Sequence, residues 1–537
     1  MDASSTDGVD TLLLGLDAAS PTILADLVEA GAVPNLQDVL EGGVSGPLRS
    51  QVPPWTPSAW PSIYTGVNPG KHGAFDFLAF DGYDWEVVDR THVREHALWE
   101  LLAEHGKRSV VVNVPVTHPA LPFDGALLPG YTAPEEPACH PDGILDEVRE
   151  AIGGYHLYDP RAAGSPTDEE RVEGYLELTR MRGAAFRYLA DRFDPDFGFL
   201  QFQQTDSVFH ELSGDPDAVE AVYAAVDEEV GAVLEATDPD TVLVVSDHGI
   251  GPYGGYEFRV NEFLARHGFV ETTRDGEGMP SWTAAVRGEA DGSPGTLARL
   301  MALAASVGLT SQRIGAALDL VGLVDVVARH APTDAIRAGT ERVDFASSTA
   351  YVRSRIELGV RVNLQGREPA GTVPPEAYDD VRESLVSLLA DARTPEGEPV
   401  FEEVLPREAV FSGPYLDEGP DVVTIPAAYD HLLTASIRGG EFGAPSETHE
   451  HKPVGLFAAA GEGVDASADL SGAHLFDVAP TVLASLGLPA SDRMDGRTLP
   501  VFEPAGTRSY QAFEVGAVGG TDDATVERRL TDLGYLE

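Results

Sequence analysis

Five short apolar runs punctuate the chain: TLLLGL (11–16), RSVVVNV (108–114), FGFLQF (197–202), TVLVVS (241–246) and VGLFAAAG (454–461). Each is rich in Val, Leu, Phe or Ala and bounded by Gly, Pro or Asp, which suits strands covered on both faces of a parallel sheet. Segments of helical period lie between them, at 98–105, 168–191 and 217–236. Strand and helix in alternation predict an α/β fold, a central mostly parallel sheet sandwiched by helices. The rhythm breaks over 271–345, where strand runs vanish and GTLARLMALAASVGLTSQRIGAALDLVGLVDVVARHA is helical in period. We expect a helical cap insertion there. Strand-like alternation resumes in TAYVRSRIELGVRVNLQGREPAG, PPEAYDDVRESLVSLLADA opens a helix behind a proline pair, and HLFDVAPTVLASLGLP is a helix stopped at Gly487. The expected organisation is a core in two parts (1–270 and 346–505), the cap between them, and an acidic C-terminal tail over 506–537.

Composition changes this picture in one respect. With 537 residues and 43% hydrophobic content the chain reads as globular, but 36 basic against 88 acidic residues give a formal charge of −52. The lysines are only Lys71, Lys107 and Lys452. The acids are dispersed, as in PDAVEAVYAAVDEEVGAVLEAT, rather than gathered in a tail. Dispersed acid with ordinary hydrophobicity resembles the surface of a halophile protein that works in molar salt, where cations screen the self-repulsion; an acidic face for a partner is the other reading. Nucleic acid is excluded as a partner, because its binding needs clustered basic residues. No window reaches eighteen apolar residues, so no membrane span is expected. The polar N-terminus lacks the pattern of a secretory signal. The single cysteine, Cys139, excludes an internal disulfide and a cysteine-based zinc site. A cytoplasmic protein is the expectation; oligomeric state is left open.

Polar residues of metal-ligand type follow the predicted strands directly. Asp17 comes after LLLGL, Asp247 and His248 after VLVVS, and Asp206 and His210 after FGFLQFQQ, within TDSVFH. In open α/β sheets, ligands gather beyond the carboxyl ends of the strands, and residues four apart share a face if a helix begins there. Each feature alone has a structural alternative: Asp17 as a helix cap, Asp206 and His210 as a surface pair, SDHG as a plain turn. Jointly they form a two-metal ligand set of nitrogen and oxygen donors, suited to zinc or manganese.

LGLDAAS, PPWTPSAWPSIYTGVNPGKHG, QQTDSVFHEL and VVSDHGIG, in that order, resemble the alkaline phosphatase superfamily, and within it the type I phosphodiesterase/nucleotide pyrophosphatase branch and its predicted phosphohydrolase/phosphomutase relatives. VNLQGREPAGTV, HKPVGLFAAAGEGV and LFDVAPTVLASLGLPASDRMDGRTL continue the likeness over nearly the full chain apart from the cap and tail. The resemblance implies that Asp17, Thr56, Asp247 and His248 surround one metal ion. It implies that Asp206, His210 and a later histidine hold the other. In HEHKPVGLF that histidine is His451 by its spacing to Gly455, with His449 as the alternative. Thr56 is then the nucleophile, and the enzyme a two-metal phosphohydrolase, first of all a phosphodiesterase acting through a phospho-threonine on a small-molecule phosphate ester. A phosphate monoesterase or phosphomutase on the same site is the alternative; a sulfatase or a non-catalytic scaffold stands further off.

A threonine hydroxyl needs a metal or a base to act as a nucleophile, and the proline-rich PPWTP would hold it stiffly. SAWPSIYTG is expected to form a helix whose first amides face the phosphoryl oxygens; Thr56 as a mere cap of that helix is the structural alternative. The loop departs from two relatives of the superfamily. Trp60 stands where sulfatases carry arginine, and Ala59 where nucleotide pyrophosphatases carry asparagine. Lys71 and His72 read as loop-structure residues. Leaving-group recognition is expected from 271–345.

Overall fold

The computed structural model describes residues 8–164, 166–212, 215–273, 342–513 and 526. Nine strands position the chemistry: β1 (Thr11–Leu16), β2 (Gly43–Arg49), β3 (Ser109–Val112), β4 (Gly125–Leu128), β5 (Phe197–Phe202), β6 (Thr241–Val245), β7 (Gly249–Pro252), β8 (His449–Lys452) and β9 (Val454–Gly461). Seven of them make the central sheet, in spatial order β2-β9-β6-β1-β5-β3-β4. The five strands from β6 to β4 run parallel. The fifth apolar run, β9, is buried as expected but antiparallel to both of its neighbours, so the sheet is mixed. Its edge partner β2, GVSGPLR, is half exposed and carries no apolar run; an edge strand has one face and one side in water and lacks the signature of a buried strand.

Residues of every inner strand split between two apolar clusters, one on each face of the sheet. Leu12, Leu14, Leu200 and Val244 pack with the helices Asp168–Phe193 and Pro216–Thr237 on one side. Leu13, Phe199, Leu243 and Phe457 pack with Trp60, Trp99 and the helix Val478–Ser485 on the other. This two-sided burial is why the strands read as continuous apolar runs. The predicted helices at 98–105, 168–191 and 217–236 appear as Leu98–Glu104, Asp168–Phe193 and Pro216–Thr237. The proline pair leads into a 3-10 turn and then the helix Tyr378–Ala390, and Gly487 takes the left-handed conformation (φ 68°) just past the Val478–Ser485 helix.

A smaller antiparallel sheet, Ala350–Tyr351, Gly359–Val362, Val422–Pro426 and Phe401–Pro406 in spatial order, closes over its own apolar cluster. The chain enters this part after Thr272–Thr273, which pairs antiparallel with Arg342–Val343. The cap expected over 271–345 lies, between 274 and 341, outside the described residues, as does most of the acidic tail. Among the described residues, no helix is long and apolar enough to cross a membrane.

Candidate metal centre

Sheet register alone brings the first acidic residues together. β1 and β6 are parallel neighbours with Gly15 opposite Val245, so Asp17 and Asp247, each two residues further on, emerge side by side beyond the strand ends. The Ala18 amide donates to Asp247 Oδ1 at 3.3 Å. His248 follows at once, its Nε2 3.1 Å from Asp247 Oδ2 and 3.6 Å from Asp17 Oδ1. β1 is also in register with β5, Leu16 opposite Phe202, and the chain leaves β5 into the helix α1 (Gln204–Leu212). Asp206 and His210, four apart, share a face of that helix, Oδ1 to Nε2 3.3 Å. The β7–β8 ribbon sets His451 opposite Ile250; its Nε2 lies 3.1 Å from His210 Nε2 and 3.4 Å from Asp206 Oδ1.

Two groups of three potential ligands result: Asp17, Asp247 and His248; and Asp206, His210 and His451. The His248 and His451 rings stack at 3.7 Å between centroids, which places the groups against one another. His449 stays outside: it packs on Phe209 and its Nδ1 meets Thr448 Oγ1 at 3.1 Å.

The donor atoms fit divalent cations. The buried Asp17 Oδ1 and Asp247 Oδ2 make no hydrogen bond, a condition that leaves a carboxylate oxygen uncompensated unless a cation faces it. Burial, then the Asp247 and Asp206 charges, drive the Asp17 carboxyl well above the usual range. Burial likewise pushes Asp247 up to about 7, against the pull of His451. A bound cation reverses that penalty. The histidines are turned to suit: His248 Nδ1 lies 3.0 Å from the Gly249 carbonyl and His451 Nδ1 3.1 Å from the Pro54 carbonyl, so Nδ1 carries the proton and the Nε2 lone pair faces the carboxylates.

The second group has charged company. Burial pushes Asp206 up, but His210 and His451 outweigh it and hold the carboxyl well below its usual range. Glu447 Oε2 stands 3.8 Å from His210 Nδ1, and its Oε1 accepts from Arg355 Nη1 at 2.7 Å. Glu450 accepts from Tyr253 Oη at 3.1 Å. His210, Glu447 and Glu450 thereby form a further group of ligand-type residues behind the second.

Thr56 opens the helix Thr56–Thr65, whose N-cap is Trp55 and not the threonine. Its buried hydroxyl faces His248 Nε2 at 3.5 Å instead of capping an amide. The expectation that several helix amides face an incoming oxygen needs correction. Pro57 has no N–H, and the Ser58 and Ala59 amides both donate to the Trp55 carbonyl, at 3.1 and 2.9 Å. The seat of the threonine is tied to the site twice, by His451 on the Pro54 carbonyl and by Ser50 Oγ donating to the Asp247 carbonyl at 2.7 Å. Lys71 and His72 lie apart: Lys71 pairs with Asp495, and His72 Nε2 meets Ser62 Oγ at 2.9 Å.

Sequence reasoning missed the residues behind the ligands. Trp60 Nε1 and Gln201 Nε2 donate to Asp17 Oδ2 at 3.0 and 2.8 Å, and Asn113 Nδ2 donates to Gln201 Oε1 at 2.7 Å. The available signal was a polar glutamine inside the otherwise apolar strand FGFLQF. Arg355 and Glu447 sat among dispersed charges and gave none.

A family model described as Type I phosphodiesterase / nucleotide pyrophosphatase matches residues 11–307. Among solved structures, alkaline phosphatase PafA superposes with a TM-score of 0.54 at 13% identity, covering 93% of this chain and all 100% of its own. Phosphonoacetate hydrolase from Sinorhizobium meliloti 1021 gives 0.51 at 17%, covering 88% and 94%. Both likenesses concern the fold. No curated protein matches the chain.

Proposed function

We propose, from the premise that this chain belongs to the type I phosphodiesterase/nucleotide pyrophosphatase family, that it is a two-metal phosphodiesterase with Thr56 as nucleophile. The observation that carries this reading is the placement of one buried threonine hydroxyl against the Asp17–Asp247–His248 group, with the Asp206–His210–His451 group stacked beside it. Asp17, Asp247 and His248, with Thr56, would hold one ion, and Asp206, His210 and His451 the other. Few ligands, mixed nitrogen and oxygen, favour zinc, with manganese as the second choice. Bound ions at such a pair of sites supply Lewis acidity, easing loss of a hydroxyl proton and offsetting charge on a leaving oxygen.

The chain supplies position. The Thr56 hydroxyl is buried at the start of a helix whose lead-in is anchored through Pro54 and Ser50, so its approach line to phosphorus is set before substrate arrives. The bond from phosphorus to Thr56 Oγ1 forms while the bond to the leaving alkoxide oxygen breaks, and the threonine proton leaves the site or passes to that oxygen. Water then attacks phosphorus, the bond to Thr56 Oγ1 breaks, and the hydroxyl is restored. With Ala59 beside the nucleophile there is no asparagine to contact phosphate from this loop, which supports a diester other than the nucleotide kind. The acid-rich composition supports assay in molar KCl.

Thr56→Ala should lower turnover of bis-p-nitrophenyl phosphate by on the order of 10⁴-fold while two ions per chain remain bound. Full activity in that variant would end the assignment. A panel of phosphate monoesters, diesters and sulfate esters separates diesterase from monoesterase: a monoester turned over faster than every diester would move the reading to the latter.

A further inference from the structure

We propose that Trp60 and Gln201 are positioning residues that hold Asp17 to one donor oxygen, and so set how tightly, and with how few ligands, the first ion is bound. The inference rests on the two-metal reading above. Both Asp17 oxygens are buried, yet they are treated differently. Oδ2 accepts the Trp60 indole N–H at 3.0 Å and the Gln201 carboxamide N–H at 2.8 Å. Oδ1 makes no hydrogen bond and faces His248 Nε2 at 3.6 Å. Asp247 shows the same division, with Oδ1 on the Ala18 amide and Oδ2 left without a hydrogen bond.

A carboxylate free to turn can offer both oxygens, which raises coordination number and suits larger ions. Two donors on one oxygen prevent the turn and leave a single ligand atom, as a low-coordinate zinc site requires. The donors are an indole and a carboxamide, so they fix the carboxylate without cancelling its charge, which an arginine in the same place would do.

Two neighbours show that the arrangement is built. Asn113 donates from Nδ2 to Gln201 Oε1 at 2.7 Å, and this fixes which end of the carboxamide faces Asp17. Gly15 lies in β1 two residues before Asp17, next to last in a strand whose other residues are mostly leucine. A Cβ there would come within 2.6 Å of the Trp60 ring and 3.2 Å of Gln201 Cγ. The glycine opens the space that both donors occupy, a use of strand glycine for close approach.

The test compares zinc release to a chromophoric chelator from zinc-loaded wild type, Trp60→Phe, Gln201→Met and Gly15→Ala, with the visible spectrum of each cobalt-substituted protein. One of the two ions should be lost about 10- to 100-fold more readily in each variant, the other should be unchanged, and the cobalt absorption should weaken as the site gains a ligand. Release curves and cobalt spectra identical to wild type would overturn the proposal. So would equal weakening of both ions together with a lower melting temperature of the metal-free protein, the mark of a purely structural role. If Trp60→Phe does not fold, the near-isosteric Gln201→Met carries the same decision. Wild type that takes up no zinc would fail the two-metal reading itself, and this inference with it, an outcome distinct from normal loading with unaltered variants.

Discussion

Asp247 and Asp421 are both sealed from solvent at strand ends, one just after β6 and the other just before Val422–Pro426, yet the chain treats them in opposite ways. Asp421 receives Arg367 in a two-pronged contact at 2.6 and 2.7 Å, the Tyr378 hydroxyl at 2.7 Å and the Val362 amide at 2.7 Å, with Arg407 Nη1 3.1 Å away. Burial alone would raise its pKa; the Arg367 contact, reinforced by Arg361 and Arg407, holds it at about 2. Asp247 has a backbone amide, two histidines and two further aspartates for company, and burial pushes it up to about 7. A buried acid that serves the fold is given its cations by the chain. One left without them at the strand ends of the central sheet is a candidate place for a cation from solution.

Substitution of each aspartate by asparagine breaks the comparison most directly. Asp247→Asn should reduce phosphodiester turnover by roughly 10⁴-fold, about 5.5 kcal/mol of barrier, while the metal-free protein keeps or gains stability in urea titrations. A large stability loss there would place Asp247 with Asp421. Asp421→Asn should do the reverse and destabilise the protein by about 3–5 kcal/mol, because the arginines lose their counter-charge in a buried setting; metal content, read by elemental analysis, should stay the same. Stripping the ions with a chelator should lower wild-type stability by about 2.7 kcal/mol for each ion lost, relative to protein at a hundredfold excess over Kd. The same drop is expected in Asp421→Asn and a smaller one in Asp247→Asn. The smallest effect is on pH. Asp421 is depressed from 3.8 to about 2 in the folded state, so the folded chain binds fewer protons than the unfolded one in that interval. Its contribution, roughly 2 kcal/mol, is fully present above pH about 4 and is lost as pH falls through about 2. An acid-unfolding midpoint in Asp421→Asn as sensitive to that window as in wild type would remove Asp421 as its source.

How much of this was legible in the sequence follows from the same contrast. Asp17, Asp206, Asp247 and their histidines stood out because a parallel sheet buries its strands on both faces and delivers the next polar residue to one rim, so the apolar runs pointed at them. Orientation of a strand leaves no such trace: VGLFAAAG is as apolar as the parallel strands of the sheet, yet it runs against its neighbour β6. The Asp421 centre was not legible. Arg361, Arg367, Arg407 and Asp421 are scattered over some sixty positions of a chain rich in acid, and only the small antiparallel sheet draws them together. Trp60 was noticed for the arginine it replaces, whereas its bond to Asp17 depends on the space above Gly15, which no linear pattern encodes.

The pairing of Thr272–Thr273 with Arg342–Val343 has an engineering consequence. Thr273 sits opposite Arg342, so the strands could be joined by a two-residue hairpin turn such as Asn-Gly. The chain therefore leaves after Thr273 and returns at Arg342 at directly paired positions, and added length between them carries only a slowly rising loop entropy. Such a junction lets a lineage, or an experimenter, exchange the stretch between Thr273 and Arg342 while the candidate ligands, their outer partners and the threonine are inherited unchanged.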